Sequence, residues 1–382
     1  MSKECEKIFF ELIRAAVWRR DAMIDNVLTA ETWHEVIQSF KAHAMLGLVA
    51  DAIMSLPAQM RPPETECNEI RRYVGTLVQE HYRQDTVISQ LFDTFATNGI
   101  DAVLLKGQGI AALYPMTNTR SIGDIDIFVG MEQYTDAMRV ASAYCGVEKE
   151  TAVPAADNIH GSLEVRQPEW LKGVELEIHY KAADTAIPSI KEEYNRWAAE
   201  KMHTGPFRIV NISGTEVRTP GGAWGVVYVF EHLLKHLRYE GVGYRQFVDW
   251  VLCLDAMEDN YDELGELLRR FQLMDAWQVL GGVLVWQLGY DADKYPFWNE
   301  RKARHSQGRN LRYITDSANL GAGTAQAKGY YYMHPSLSRR LKAVRYYARY
   351  LLFEYQLFPH DTIGRQVRRL LSCFSSSQAN AI

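Results

Sequence analysis

AVLLKGQGIAALYPMTNTRSIGDIDIFV, from Ala102 to Val129, is the stretch whose reading decides the fold. It runs from an apolar strand through a glycine turn and a short helix into a second apolar strand that carries two aspartates. Side chains alternate faces along an extended strand, so Asp124 and Asp126 share one face while Ile125, Ile127 and Val129 face a core. Two like charges this close are costly unless a cation sits between them, and a hard divalent ion with oxygen ligands fits. The plainer alternative is an edge strand with two solvated aspartates. Upstream, Lys106 and Gly107 end the first strand where a helix begins, and backbone N–H groups there can meet phosphate oxygens. Arg120 lies four residues before Asp124, placed to clamp a phosphate.

Moving outward, Glu132–Tyr144 has the spacing of an amphipathic helix ending at Gly146. Ser162–Val165 and Val174–Tyr180 alternate as strands, and the polar bend 166–173 joins them as an antiparallel hairpin. In VELEIHY, Glu175, Glu177 and His179 share one strand face. This second acidic strand can pair beside the first, and its carboxylate completes a three-carboxylate cluster with Asp124 and Asp126. Strands mixed with helices in this way predict an α/β or α+β core.

The flanks read as helical. Apolar residues recur at three- and four-residue spacing over Ile8–Trp18, Trp33–Leu56 and Ile70–Phe95, the last bounded by Pro62–Pro63 and Asn98–Gly99. Beyond Pro188 a helix is expected over Ser189–Lys201, then short strands or an extended linker over Phe207–Ile212 and Thr215–Arg218. Further helices are expected over Gly222–Glu240, Tyr244–Glu258, Asp262–Phe271, Ala276–Leu288, Leu337–Phe358 and Gly364–Cys373. Asn299–Gly329 reads as an irregular loop, and Ser375–Ile382 as a polar tail. The basic, aromatic-rich Ser336–Arg369 reads as a core-facing stripe with a solvated basic face, or as a surface for membrane or nucleic acid. Three parts follow: an N-terminal helical region 1–98, a core 99–205, and a C-terminal helical domain 206–382.

Within the last part, His232 and His236 are neighbours on a helix, and Asp249 could meet them from the next one. A zinc site lacks a third ligand at fixed spacing. A pocket wall and a structural histidine–aspartate group are the other two readings. Arg245 could pair with Asp249 one helical turn away.

Composition sets the class. The 382 residues are 47% hydrophobic with a net charge of −5, which argues against a protein that coats nucleic acid. Cys5, Cys67, Cys145, Cys253 and Cys373 have neither zinc-knuckle nor redox spacing, and read as reduced thiols of a cytoplasmic protein. Charges interrupt the apolar N-terminal run, so it reads as an amphipathic helix rather than a signal peptide. No window is apolar enough to suggest a membrane span.

Taken together, these residues resemble the polymerase-beta-like nucleotidyltransferase superfamily, and more closely a bacterial family of uncharacterised nucleotidyltransferases. The resemblance rests on Leu105-Lys106-Gly107, Leu113-Tyr114-Pro115, Arg120 through Asp126, and Leu176-Glu177-Ile178-His179. It continues through His232, His236, Arg245 and Asp249. Gln108 stands where the wider superfamily has a second Gly or Ser. The resemblance implies an α+β fold, a small mixed-sheet nucleotidyltransferase core between helical flanks. It also implies Mg²⁺ on Asp124, Asp126 and Glu177 in a two-metal arrangement, with ATP or another nucleoside triphosphate as substrate. Lys106, Gly107 and Arg120 would handle phosphate, and His179, His232, His236, Arg245 and Asp249 would line the substrate pocket. Glu177 would hold the second metal or deprotonate the acceptor, with Glu175 in reserve. The implied partner is an acceptor hydroxyl on a small molecule, a protein or an RNA end, and the weak basicity of the chain makes RNA the least favoured of the three. The contrasting possibility is a degenerate nucleotide- or partner-binding module.

Overall fold

A computed structural model describes residues 2–147, 158–257, 260–305, 307 and 352–363. Its centre is a four-stranded mixed sheet in the order β1-β2-β4-β3, formed by β1 (Val103–Leu104), β2 (Ile125–Phe128), β3 (His160–Glu164) and β4 (Glu175–His179). β1 runs antiparallel to β2, β2 parallel to β4, and β3 antiparallel to β4 as the expected hairpin. With the helices around it, this is an α+β fold.

Strand parity builds two different faces. Ile125, Ile127, Leu176, Ile178 and Leu163 pack beneath the sheet against Val87, Leu91 and Phe95 of α4 (Glu64–Thr97) and Ala137 and Met138 of α6 (Gly130–Tyr144). Each such side chain stabilises the fold by roughly 1.5–3 kcal/mol through burial. A slip of one residue would turn this apolar set to the opposite face, so the register is strongly specified. On that opposite face, Val103, Leu105 and Phe128 join a larger core that also holds Phe9, Trp224, Phe230 and Trp250. These come from α1 (Lys3–Val17), α8 (Gly222–Lys235) and α9 (Tyr244–Asp255).

The N-terminal helices begin where capping chemistry allows. Ser2 Oγ accepts from the Cys5 N–H at 3.2 Å, ahead of Glu4 and Glu6 in the first turn of α1. The periodic stretch Trp33–Leu56 is not one helix: α2 (Ala30–Ala42) and α3 (Leu46–Met54) are separated at Ala44, whose φ is +56°. The long α4 follows Pro63 and stops before Gly99 at φ +68°. α5 (Gln108–Ala111) is a single turn.

After α7 (Lys191–Thr204), the segments read as strands or linker form a hairpin, β5 (Phe207–Ile212) with β6 (Thr215–Pro220). Ser213 and Gly214, at φ +50° and +93°, make its two-residue turn. α8 passes into one π-helical turn at His236–Glu240 instead of continuing as α-helix. α10 (Tyr261–Arg270) and α11 (Met274–Gly282) follow, and α11 also ends in a π turn. The loop expected from Asn299 begins instead with helical residues 300–305.

Residues 352–357 and 359–363 are helical and dock through their acids. Arg238 Nε donates to Glu354 Oε1 at 3.2 Å, and the same guanidinium meets Asp361; all three side chains are buried. Phe353 and Phe358 face the core, whereas Leu352 and Tyr355 are exposed. The rest of Ser336–Arg369, including the helix expected at Gly364–Cys373, and the tail from Ser375 lie outside the described residues. Among the described residues, no helix is long and apolar enough to cross a membrane.

Candidate active site

The parallel register of β2 and β4 sets Asp126 directly beside Glu177. Asp124 lies one same-face step before Asp126. Oxygens of Asp124, Asp126 and Glu177 all fall within 4.8 Å of one another. Glu175 is one step away, exposed and opposite Glu164 on β3, outside this set.

Two basic groups stand against the acids. Lys106 Nζ, reaching over from the end of β1, is 3.1 Å from Asp126 Oδ1 and 4.0 Å from Asp124 Oδ2. His179 Nε2 is 3.1 Å from Asp126 Oδ1 and 3.3 Å from Glu177 Oε2. Burial opposes ionisation of Asp126, but Lys106 and His179 outweigh it and hold the carboxyl well below its usual range. Asp124 moves the other way: burial, then the neighbouring Asp126 charge, push its pKa up. Burial disfavours the His179 imidazolium, yet hydrogen bonds to Asp126 and Glu177 prevail and raise its pKa. Lys106 is raised likewise, burial being overcome by Asp126 and Asp124.

Three carboxylates therefore share one formal cation and a histidine drawn toward its charged form. Asp126 Oδ2 is buried with no hydrogen-bond partner among the described residues. An oxygen-only donor set with an orphaned carboxylate oxygen fits a hard divalent cation.

The loop leading to Asp124 is held from both sides. Arg120 Nε and Nη2 each donate to Asp249 at 2.8 Å, and the Tyr114 hydroxyl donates to the same carboxylate at 2.8 Å. The expected phosphate clamp is thus bound to a buried aspartate. Asp249 is taken by Arg120 rather than by the histidines or by an i,i+4 pair with Arg245. Arg245 instead donates to the Ser121 carbonyl at 2.8 Å. From α4, His81 donates to the Arg120 carbonyl at 2.8 Å, and Gln84 donates to the Gly123 carbonyl. Gln108 is buried and donates to Gln84 Oε1 at 2.7 Å, so it braces this loop from behind. A Cβ on Gly47 of α3 would stand 2.4 Å from the Thr119 carbonyl oxygen, an approach only glycine permits. Gly107, at φ +61°, makes the turn from β1 into α5.

A cavity of about 300 Å³ lies between the acidic sheet face and the helical wall. The residues singled out from the sequence border it, except the reserve Glu175 and Gln108: Lys106, Gly107, Arg120, Asp124, Asp126 and Glu177 on one side, with His179, His232, His236, Arg245 and Asp249. On the helical wall, His232 and His236 bring their Nε2 atoms to 3.0 Å across the α-to-π junction. Burial, then Lys106, hold the His232 pKa well below its usual value, so it is neutral.

Of the cavity residues not singled out from the sequence, two stand against the acids or are buried with an open carboxylate oxygen. His160 lies opposite His179 in the β3–β4 register, with Nε2 3.6 Å from Glu177 Oε2. Beginning the strand two residues before Ser162 would have put His160 on the acidic face. Glu231 is fully buried, accepts from the Ala186 N–H through Oε1, and leaves Oε2 without a partner among the described residues. Burial pushes its pKa up to about 7. A single acid inside the apolar run VVYVFEHLL was its signal.

A family model described as uncharacterised nucleotidyltransferase matches residues 29–284 of the chain. Among solved structures, the chain is similar to an antigenic nucleotidyltransferase-like protein from Paracoccidioides brasiliensis. The identity is 17%, the TM-score 0.32, and the match covers 49% of this chain and 87% of that one. No curated protein matches the chain.

Proposed function

The chain belongs to the uncharacterised nucleotidyltransferase family, and from that premise we propose that it is an Mg²⁺-dependent enzyme. It moves a nucleoside monophosphate, AMP, from a nucleoside triphosphate to an acceptor hydroxyl. The observation that carries this reading is the trio Asp124, Asp126 and Glu177, whose oxygens lie within 4.8 Å of one another, with Asp126 Oδ2 unsatisfied. Those three residues would hold the metal, in an arrangement suited to the polymerase-beta-like superfamily. Magnesium bound there would neutralise charge developing on the transferred phosphoryl group.

The acceptor oxygen bonds to the α-phosphorus, the bond from that phosphorus to the bridging oxygen breaks, and pyrophosphate leaves. The acceptor proton goes to Glu177, the least buried of the two carboxylates that flank His179. His179 orients Asp126 and Glu177 through Nε2. Lys106, close to both aspartates, supplies a cation that nucleotide phosphates share. The segment 99–205 would be the catalytic core that carries the acids, with helices of the flanking segments 1–98 and 206–382, among the described residues, around it. An acidic cavity of about 300 Å³ and the net charge of −5 favour a small-molecule or protein hydroxyl over RNA. Free thiols at Cys5, Cys67 and Cys145 suit the reducing cytoplasm.

The test is transfer of label from each α-labelled nucleoside triphosphate, with Mg²⁺ and a cell lysate as acceptor source. Expected is label on a lysate component and release of pyrophosphate, both lost in Asp124→Ala/Asp126→Ala. Nucleotide binding without transfer, or transfer equal in the variant, would establish the alternative: a binding module in which Lys106 neutralises the acids.

A further inference from the structure

The third carboxylate also belongs to a second donor set, whose two histidines are not ligands of the proposed Mg²⁺ site. His160 Nε2, Glu177 Oε2 and His179 Nε2 all lie within 4.8 Å of one another. We propose that His160, Glu177 and His179 form a distinct site for a borderline divalent metal of the Zn²⁺ or Fe²⁺ class, sharing Glu177 with the oxygen-only set. The inference meets the nucleotidyltransfer reading at Glu177 and at His179, whose Nε2 orients the acids when no metal is on it.

The spacing suits ligands of one ion: the His179 Nε2 proton, held by Asp126 and Glu177 in the ion-free site, leaves when a metal binds. His179 Nε2 stands 3.3 Å from Glu177 Oε2, and His160 Nε2 stands 3.6 Å from the same oxygen. A separation of 3.6 Å is beyond a hydrogen bond. Metal–ligand bonds of about 2.0–2.1 Å at tetrahedral angles place donor atoms roughly 3.3–3.4 Å apart. The backbone fixes this arrangement before any ion arrives. The antiparallel register sets His160 against His179 and Ser162 against Glu177, so three donors and a hydroxyl share one face. The two imidazoles lie side by side, with centroids 4.8 Å apart and planes 35° from parallel.

Ser162 Oγ lies 3.4 Å from His160 Nδ1. A hydroxyl at that nitrogen orients the ring and leaves Nε2 for the site, as groups behind metal-bound histidines do. Two imidazoles and one carboxylate suit zinc, iron or cobalt, whereas magnesium prefers oxygen alone. Three protein ligands also leave a coordination position for a substrate oxygen, as in catalytic rather than structural metal sites.

Cobalt is the probe. Untagged, metal-stripped protein is titrated with Co²⁺ without nucleotide, in excess Mg²⁺, and visible absorption is recorded. Nitrogen-ligated cobalt of low coordination number absorbs strongly there, and cobalt among oxygens and waters absorbs weakly. We expect an intense band saturating at one equivalent, kept in Asp124→Asn and lost in His160→Ala. Zn²⁺ affinity should fall at least about 10–100-fold in His160→Ala. No intense band in the wild type, or an unchanged band in His160→Ala, overturns the site. Should His160→Ala not fold by circular dichroism, Ser162→Ala replaces it: all three ligands remain, and Zn²⁺ affinity should drop about 10-fold. Unchanged affinity there overturns the proposal. Transfer of labelled α-phosphate with Mg²⁺ alone reports separately on the nucleotidyltransfer reading. A cobalt band without transfer upholds the site and sinks that reading, and transfer without a band does the reverse.

Discussion

Asp126 and Asp249 are both buried aspartates, 1% and 4% exposed, on the border of the same cavity. Their surroundings are opposite. Asp249 accepts from Arg120 on both oxygens and from Tyr114 on one, so its charge and its hydrogen-bonding capacity are met within the fold. Asp126 receives Lys106 and His179 on a single oxygen, leaves the other bare, and has Asp124 and Glu177 as like-charged neighbours. A closed group of this kind fastens the chain, here the 120–123 loop to α9. An open group keeps capacity for something that is not protein. Burial alone does not separate the two, since a buried ion pair is weak evidence for a function or for stability; the count of unmet partners does.

The largest effect falls on the open group. Asp124→Asn should lower α-phosphate transfer on the order of 10³-fold, several kcal/mol of transition-state stabilisation. The same change should raise stability by about 0.5–2 kcal/mol, because it relieves burial and repulsion at a carboxyl already pushed toward protonation. Loss of transfer accompanied by lost stability in urea unfolding would show that Asp124 is part of a closed brace, and the contrast with Asp249 would fail.

The closed group should answer in stability. Arg120→Met leaves Asp249 charged and buried without its bidentate partner, at a cost of about 3–5 kcal/mol. Arg120→Met/Asp249→Leu should recover most of that, since removing both charges removes the uncompensated one. If Arg120→Met instead abolishes transfer at unchanged stability, Arg120 handles phosphate as its position before Asp124 first suggested.

The difference between these groups also marks how far the sequence could be read. Strand parity alone put Asp124 and Asp126 on one face, and parity on VELEIHY put Glu177 and His179 on another that could lie beside it. Local periodicity suffices for such statements. Which strand pairs with which residue is a tertiary fact: the choice of Glu177 over Glu175 depends on the β2–β4 register. Arg120 looked like a phosphate ligand because its partner is far away in the chain, at Asp249. Gln108 looked like a defect in the glycine turn because its partner, Gln84, lies in a helix that carried no chemical signal. His160 was lost to a strand boundary misplaced by two residues, and Glu231 to its position within an apolar helix.

Gln84 offers a smaller effect in the same comparison. Its amide donates to the Gly123 carbonyl and accepts from Gln108, so it closes the back of the loop whose front carries Asp124. Gln84→Leu frees the Gly123 carbonyl and strands the buried Gln108 amide, which should cost about 1–3 kcal/mol. Hydrogen exchange should quicken at residues 121–124 more than in β4, because only the former lose an anchor. Equal quickening in both would mean that α4 supports the sheet as a whole rather than the loop.

Glu231 stands between the two aspartates: one oxygen is bonded to the Ala186 N–H, the other is bare, and the pKa is about 7. Burial is the leading cause, so the folded protein favours the protonated carboxylic acid. The unfolded chain ionises near 4.3, as an ordinary glutamate does. A folded pKa above the unfolded one gives a contribution to stability that is complete below about pH 4 and is lost as pH rises through about 7. Glu231→Gln keeps an oxygen for Ala186 and cannot ionise. Relative to the wild type, the variant should therefore gain about 1–3 kcal/mol between pH 4.5 and pH 8 in urea unfolding. Any misfit of the new amide adds a constant offset, whereas the change with pH reports the carboxyl alone. A gap that stays flat across this range would mean that Glu231 finds a second partner in solution, which would move it from the open class into the closed one with Asp249.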